Sequence, residues 1–149
     1  PSSAASDVYK RQGTATAKLD VRHWVPEETA RIDAALDTIT WSDDRVTIEC
    51  ERNWNRPPMV HTDGTEALFQ VFKSQAEALG HSDFEGVAVG GGSDANFISA
   101  VGTPVVCGLG AGGAGAHARY EFIYPDSVPF FTALLANSIA AIDGPVITD

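Results

Sequence analysis

The sequence predicts an α/β fold in two parts, a strand, helix, strand unit suited to an open-faced α/β sandwich and a second α/β part after it. Three observations carry this reading. Apolar and polar residues alternate at residues 16–22 and 46–51, on either side of a helical stripe. Two adjacent prolines, Pro57 and Pro58, then interrupt the chain, and beyond them short apolar runs alternate with glycine-rich turns.

In the first part, Ala17, Leu19 and Val21 share one face of a strand and Lys18, Asp20 and Arg22 the other. Pro26 opens a helix with Glu27 and Glu28 in its first turn, where carboxylates favour the dipole, and Ile32, Ala35, Leu36 and Ile39 form its stripe. A second strand sets Val46, Ile48 and Cys50 against Thr47, Glu49 and Glu51. Asn55-Arg56-Pro57-Pro58 forces an extended path and marks a crossing between domains.

In the second part, Asp63 with Glu66 resembles a capping box. Leu68, Phe72, Ala76 and Leu79 form a buried stripe, and Gly80 supplies the stop. Val87 to Val89 reads as a short strand. Ser93 or Asp94 caps a helix to about Val101, Pro104 to Cys107 is a buried strand, Tyr120 to Tyr124 a last one, and an apolar helix runs from about Ser127.

Composition narrows the function classes. The net charge of −10 and the lack of a basic stripe argue against nucleic-acid partners. The apolar run near Phe130 to Ile142 is too short, and too interrupted by Thr132, Asn137 and Ser138, for a membrane span. Cys50 and Cys107 match no metal or redox spacing and read as reduced thiols packed as small hydrophobes, which makes the cytoplasm the expected compartment, with secretion left open. Ser2 to Gln12 resembles the translation of a transposase adapter from sequencing-library preparation, so residues 1–12 are expected to be a disordered foreign tail and the chain a fragment.

Chemistry concentrates in two glycine-rich turns. Gly91-Gly92-Ser93-Asp94-Ala95-Asn96 opens a helix with free backbone N–H groups, a setting for an anion or oxyanion. Gly113-Ala114-Gly115-Ala116-His117-Ala118-Arg119 places one histidine, the commonest metal ligand, where small neighbours let backbone fold closely around an ion. This succession resembles the end of the catalytic domain in the zinc carboxypeptidase and aminoacylase family, which includes glutamate carboxypeptidase, succinyl-diaminopimelate desuccinylase and acetylornithine deacetylase.

The resemblance implies a mixed sheet flanked by helices at 56–149, the C-terminal part of a catalytic domain. It implies that residues 13–55 are the end of an α+β, ferredoxin-like lid through which the parent forms a homodimer. It further implies two zinc ions per active site, with His117 completing the coordination of one. Such a pair polarises an amide carbonyl and lowers the pKa of a bound water. The remaining ligands, a His-x-Asp motif, a bridging Asp and a Glu-Glu pair, precede the lid in the family and match nothing here, so the fragment alone is expected to be inactive. Asp94, Glu121 and Asp126 read as helix-capping and loop residues. Ser93 and Gly92 are expected to line the substrate cleft. Leu19-Asp20-Val21-Arg22 and Arg56-Pro57 resemble the family's lid-strand and interdomain arginines, so Arg22 and Arg56 are expected to grip a substrate carboxylate, Arg56 foremost. Phe130-Phe131 departs from the basic residue that the family often carries there.

The implied parent hydrolyses a small peptide or N-acyl amino acid at an amide next to a free carboxylate. Two other readings compete. One is a non-catalytic homologue that serves as a binding module. The other is a dinucleotide-binding oxidoreductase fragment, suggested by the literal G-x-G-x-x-G at Gly108 to Gly113; the strand expected at Tyr120 to Tyr124 stands where a Rossmann helix would continue. His23, His61 and His81 are expected in solvent.

Overall fold

The computed structural model describes residues 13–142, and the adapter-like segment 1–12 lies outside the described residues. The elements run α1 (Glu27–Asp37), α2 (Asp63–Ala78), α3 (Ala95–Ala100), β1 (Gly113–Ala114), β2 (Phe122–Ile123) and α4 (Ser127–Ala141). β1 and β2 form a two-stranded antiparallel ladder that pairs Gly113 with Ile123 and Ala114 with Phe122.

The core lies between α2 and α4. Phe72 and Ala76 from α2 meet Leu134 from α4, with Leu68, Phe84, Val106, Leu109, Phe130 and Leu135 packed around them. Phe130-Phe131, at the start of α4, belongs to this apolar layer: Phe130 packs edge-on to Phe84, Phe84 stacks on Phe69, and the His81 ring lies 3.9 Å from that of Phe130. His81 is thus exposed on one side and stacked on the other. Leu79, expected in the buried stripe, is 36% exposed because the helix has already ended beside it.

Local chemistry explains where α2 begins and ends. Thr62 is the cap, its hydroxyl accepting the Thr65 N–H at 3.1 Å. This corrects the expected Asp63–Glu66 box by one residue: Asp63 is already helical, and the Glu66 carboxylate accepts from the Gln70 amide at 2.7 Å instead. That amide, then His61, holds the Glu66 carboxyl below its ordinary value. At the far end Gly80 adopts φ +91, so that its N–H reaches the Glu77 carbonyl while the His81 N–H reaches that of Ala76. These are the two bonds of a Schellman stop, which favours glycine because a Cβ disfavours that backbone conformation.

The first part of the chain departs from expectation. α1 begins after Pro26 as expected, but none of its residues is buried, and Ile39 beyond it is 47% exposed. The helix is held instead by polar contacts to the segment that follows. The Trp54 indole N–H donates to Asp33 at 3.1 Å, and Arg52 pairs with Asp33 and Asp37. The expected strands at 16–22, 46–51, 87–89 and 104–107 form no regular element and have no ladder partner among the described residues. Leu19, Val46, Ile48, Val87 and Val89 are correspondingly exposed. A strand is completed only by a neighbour, and alternation in the sequence reports the faces of a strand without supplying that neighbour. Only Phe122–Ile123, within the expected Tyr120 to Tyr124, is paired, and its partner comes from the glycine-rich run that was expected to be loop.

The Ser138 hydroxyl on α4 is fully buried and has no hydrogen-bond partner among the described residues. Leu134→Ala is expected to lower stability by about 2–5 kcal/mol through the cavity left between α2 and α4. Ser138→Ala is expected to raise it by about 1 kcal/mol, since an unpaired buried donor is removed. Urea denaturation followed by far-ultraviolet circular dichroism reads both; a loss of stability in Ser138→Ala would mean that the hydroxyl is bonded in solution.

Candidate active site

Four of the five expected site residues converge on the turn before α3. The Ser93 N–H donates to Asn96 Oδ1 at 2.8 Å, and Ser93 Oγ accepts the Ala95 N–H at 3.2 Å. This is the reciprocal logic of a capping box, with asparagine in the position usually held by glutamate or glutamine. The Asn96 amide then donates to the Pro57 carbonyl at 2.8 Å, tying the turn to the proline crossing. Arg56, next to Pro57, lies along the turn. Its guanidinium reaches Asp94 at 3.2 Å and sits 4.9 Å from the centre of the Phe97 ring. A Cβ on Gly92 would stand 3.1 Å from Arg56 Cδ, so glycine there lets the arginine approach the backbone closely.

Arg22 arrives from the first part of the chain. Its Nη1 donates to the Gly90 carbonyl at 2.6 Å, while Nε and Nη2 fork onto the Asp20 carboxylate at 3.2 and 2.8 Å. Asp20 is held below the usual carboxylate range by this fork, and Arg22 is raised in turn. Arg22 therefore spends its bidentate geometry inside the chain and steadies the turn. Arg56, with one contact to an almost fully exposed Asp94, keeps a fork that can meet another carboxylate.

His117 stands apart from this cluster, at the tip of the β1–β2 hairpin. The Ala118 N–H closes onto the Gly115 carbonyl at 2.8 Å, which makes His117 the third residue of a four-residue turn, and its φ is +66. That position ordinarily goes to glycine or asparagine, and among the described residues His117 is the one non-glycine at positive φ. The base of the hairpin fixes the tip. A Cβ on Gly113 would fall 2.3 Å from the Phe122 carbonyl oxygen, and one on Gly115 would fall 2.9 Å from the Tyr120 ring. The Gly112 N–H donates to Ser127 Oγ at 2.9 Å, and Ser127 Oγ donates to the Tyr124 carbonyl at 2.6 Å, coupling the hairpin to the first turn of α4. Glu121, expected to be a loop residue, accepts the His117 N–H at 3.3 Å. The exposed imidazole makes no hydrogen bond among the described residues, so both ring nitrogens are accessible.

Among the described residues no group of three or more His, Cys, Asp or Glu side chains could hold a metal ion. His117 fits the role of one ligand, and the chain as described supplies no set. Two expectations about other residues are corrected. His23 is half-buried: its Nδ1 donates to the Val25 carbonyl at 2.8 Å and its Nε2 lies 3.1 Å from Thr29 Oγ1. Cys50 and Cys107 are exposed rather than packed, on segments without a ladder partner among the described residues, and the Cys107 thiol donates to Ser93 Oγ at 3.1 Å. The linking role of Asn96 was missed, although the Ser93-x-x-Asn96 spacing carried the signal. The Gly108 to Gly113 run leads into β1 and not into a helix, so it lacks the helix N-terminus that a dinucleotide pyrophosphate requires.

The described residues thus combine a glycine-built hairpin that presents a histidine with an arginine-lined turn that opens a short helix. The profile of peptidase family M20/M25/M40 matches residues 7–141, and the chain belongs to that family. The matched span opens at residue 7, inside the adapter-like segment. No curated protein and no solved structure matches the chain. Family membership makes this a metallohydrolase of the peptidase class, and peptidases of this family are metal-dependent. No described helix is long and apolar enough to cross a membrane.

The positive φ at His117 has a direct test. His117→Asn is expected to leave stability within about 0.5 kcal/mol, because asparagine tolerates the left-handed region, whereas His117→Val is expected to cost about 1–2 kcal/mol. Equal urea midpoints for the two variants would show that the turn does not demand this backbone conformation.

Proposed function

We propose that this chain is the C-terminal part of a di-zinc hydrolase that cleaves an amide bond next to a free carboxylate, as a carboxypeptidase, dipeptidase or N-acyl-amino-acid deacylase. The observation that carries the proposal is His117. Its exposed imidazole sits on a turn whose backbone conformation is unfavourable for histidine, and a residue held against local preference is a mark of a functional position. In this reading residues 13–55 close the lid and residues 56–149 complete the catalytic part, with the lid forming a homodimer in the parent. The surface supports a larger whole. Leu19, Val87 and Val101 are each more than three-quarters exposed, apolar surface that a larger whole would cover.

The residues divide the work by geometry. Arg56 receives the substrate carboxylate with the fork that Asp94 engages only once. Ser93 and Gly92 face it along the turn, and Arg22 fixes that turn through Gly90. His117 would hold one zinc ion together with ligands from the rest of the parent. When bound, the zinc pair supplies Lewis acidity at the amide carbonyl and a water of lowered pKa.

Zinc added to the isotope-labelled chain and followed through its histidine ring signals tests the ligand role. His117, with both ring nitrogens free among the described residues, is expected to respond at lower zinc than His23, whose nitrogens are both engaged. The early response is expected to vanish in His117→Asn. A parallel response of all four histidines would remove the observation on which the proposal stands.

A further inference from the structure

Behind Arg56 lies a cavity of about 460 Å³, between the start of α1, residues 54–60 and the last turn of α3. Its walls are Trp54, Pro26, Pro57, Pro58, Val60 and Ala100, and among the described residues no acidic side chain lines it. The polar groups on the first-part wall are already engaged with one another. His23 donates to the Val25 carbonyl and thereby leaves its other nitrogen to accept the Thr29 hydroxyl, while the Trp54 indole N–H is taken by Asp33. His23 also packs edge-on to Trp54, with ring centres 5.3 Å apart, so the indole is fixed from its polar end and from its side.

We infer that this cavity receives an apolar, preferentially aromatic, side chain of the molecule whose carboxylate Arg56 holds. The inference rests on the carboxylate role given to Arg56 above and adds the substrate class. Three features point to this occupant. Arg56 lines the cavity as well as the Gly92 turn, so a carboxylate on its guanidinium would sit at the mouth. The volume lies within the range of small-ligand sites and suits a single ring. A basic side chain would meet no acidic partner among the lining residues, and an acidic one would find the Arg56 guanidinium already taken by the carboxylate, so either would lose hydration uncompensated, whereas an apolar ring gains by leaving water. Ser99 is the remaining polar group on the wall.

The test uses the chain with N-acetylphenylalanine, its amide, N-acetylglycine and N-acetylaspartate, following binding by isothermal titration and by the Trp54 indole N–H resonance. N-acetylphenylalanine is expected to bind about tenfold or more tightly than N-acetylglycine, the difference that burial of an aromatic ring provides. It is expected to shift the Trp54 signal, while N-acetylaspartate gains nothing over N-acetylglycine. Ala100→Trp, which fills the cavity from α3, is expected to bring N-acetylphenylalanine down to the level of N-acetylglycine. Equal binding of N-acetylphenylalanine and N-acetylglycine with an unmoved Trp54 signal overturns the inference, as does the absence of binding by either. If the amide binds as well as the acid and still shifts Trp54, the carboxylate role of Arg56 fails while the side-chain cavity stands.

Discussion

The contact between α2 and α4 is the constraint on which the rest of this chain depends. Phe72, Ala76 and Leu134 are its buried apolar residues, and the aromatic layer of Phe69, Phe84 and Phe130 extends it. Both candidate turns are tied to those helices. The proline crossing that bonds Asn96 leads into α2 through the Thr62 cap, and the histidine hairpin is pinned to the first turn of α4 through Ser127. A small core thus positions two loops that carry chemistry but bury little themselves, the usual division between scaffold and site.

How much of this was legible in the sequence depended on the range of the interaction. Local rules worked where local forces decide. The Pro26 start of α1, the Gly80 stop of α2 and the course of α4 follow from dihedral preference, capping and apolar periodicity. The Asp63 box failed by one residue because threonine at position 62 competes for the same N–H groups. Strands were legible only as faces. The alternation at 16–22 and 46–51 is present, but a ladder depends on a second segment that periodicity does not name. The Gly113–Phe122 approach was hidden for the opposite reason, since a missing Cβ gives no apolar signal.

The site was legible to the extent that residue type restricts chemistry. Arg22, Arg56, Ser93 and Gly92 do share one neighbourhood, but their division of labour required coordinates. Asp20 occupies the Arg22 fork, and only Arg56 keeps one to offer. The unusual backbone at His117 could not be read from sequence, because glycine-rich surroundings are equally compatible with an ordinary loop. Leu19, Val46, Ile48, Val87 and Val89 are exposed on segments that share one feature, the lack of a ladder partner among the described residues. Membership of the M20/M25/M40 family supports a metallohydrolase of the peptidase class in general. The specific amide and the zinc pair belong to the proposal, which those unpaired segments support.

The most direct measurement takes the whole hydrolase proposed to contain this chain and compares it with its His117→Asn variant, for zinc content and for hydrolysis of dipeptides and N-acyl amino acids. The account predicts two zinc ions per chain and turnover in the parent, with one zinc weakened and turnover reduced by about a hundredfold or more in the variant, as expected when a group that holds a catalytic metal is removed. Equal zinc content and equal turnover in the two proteins would contradict it.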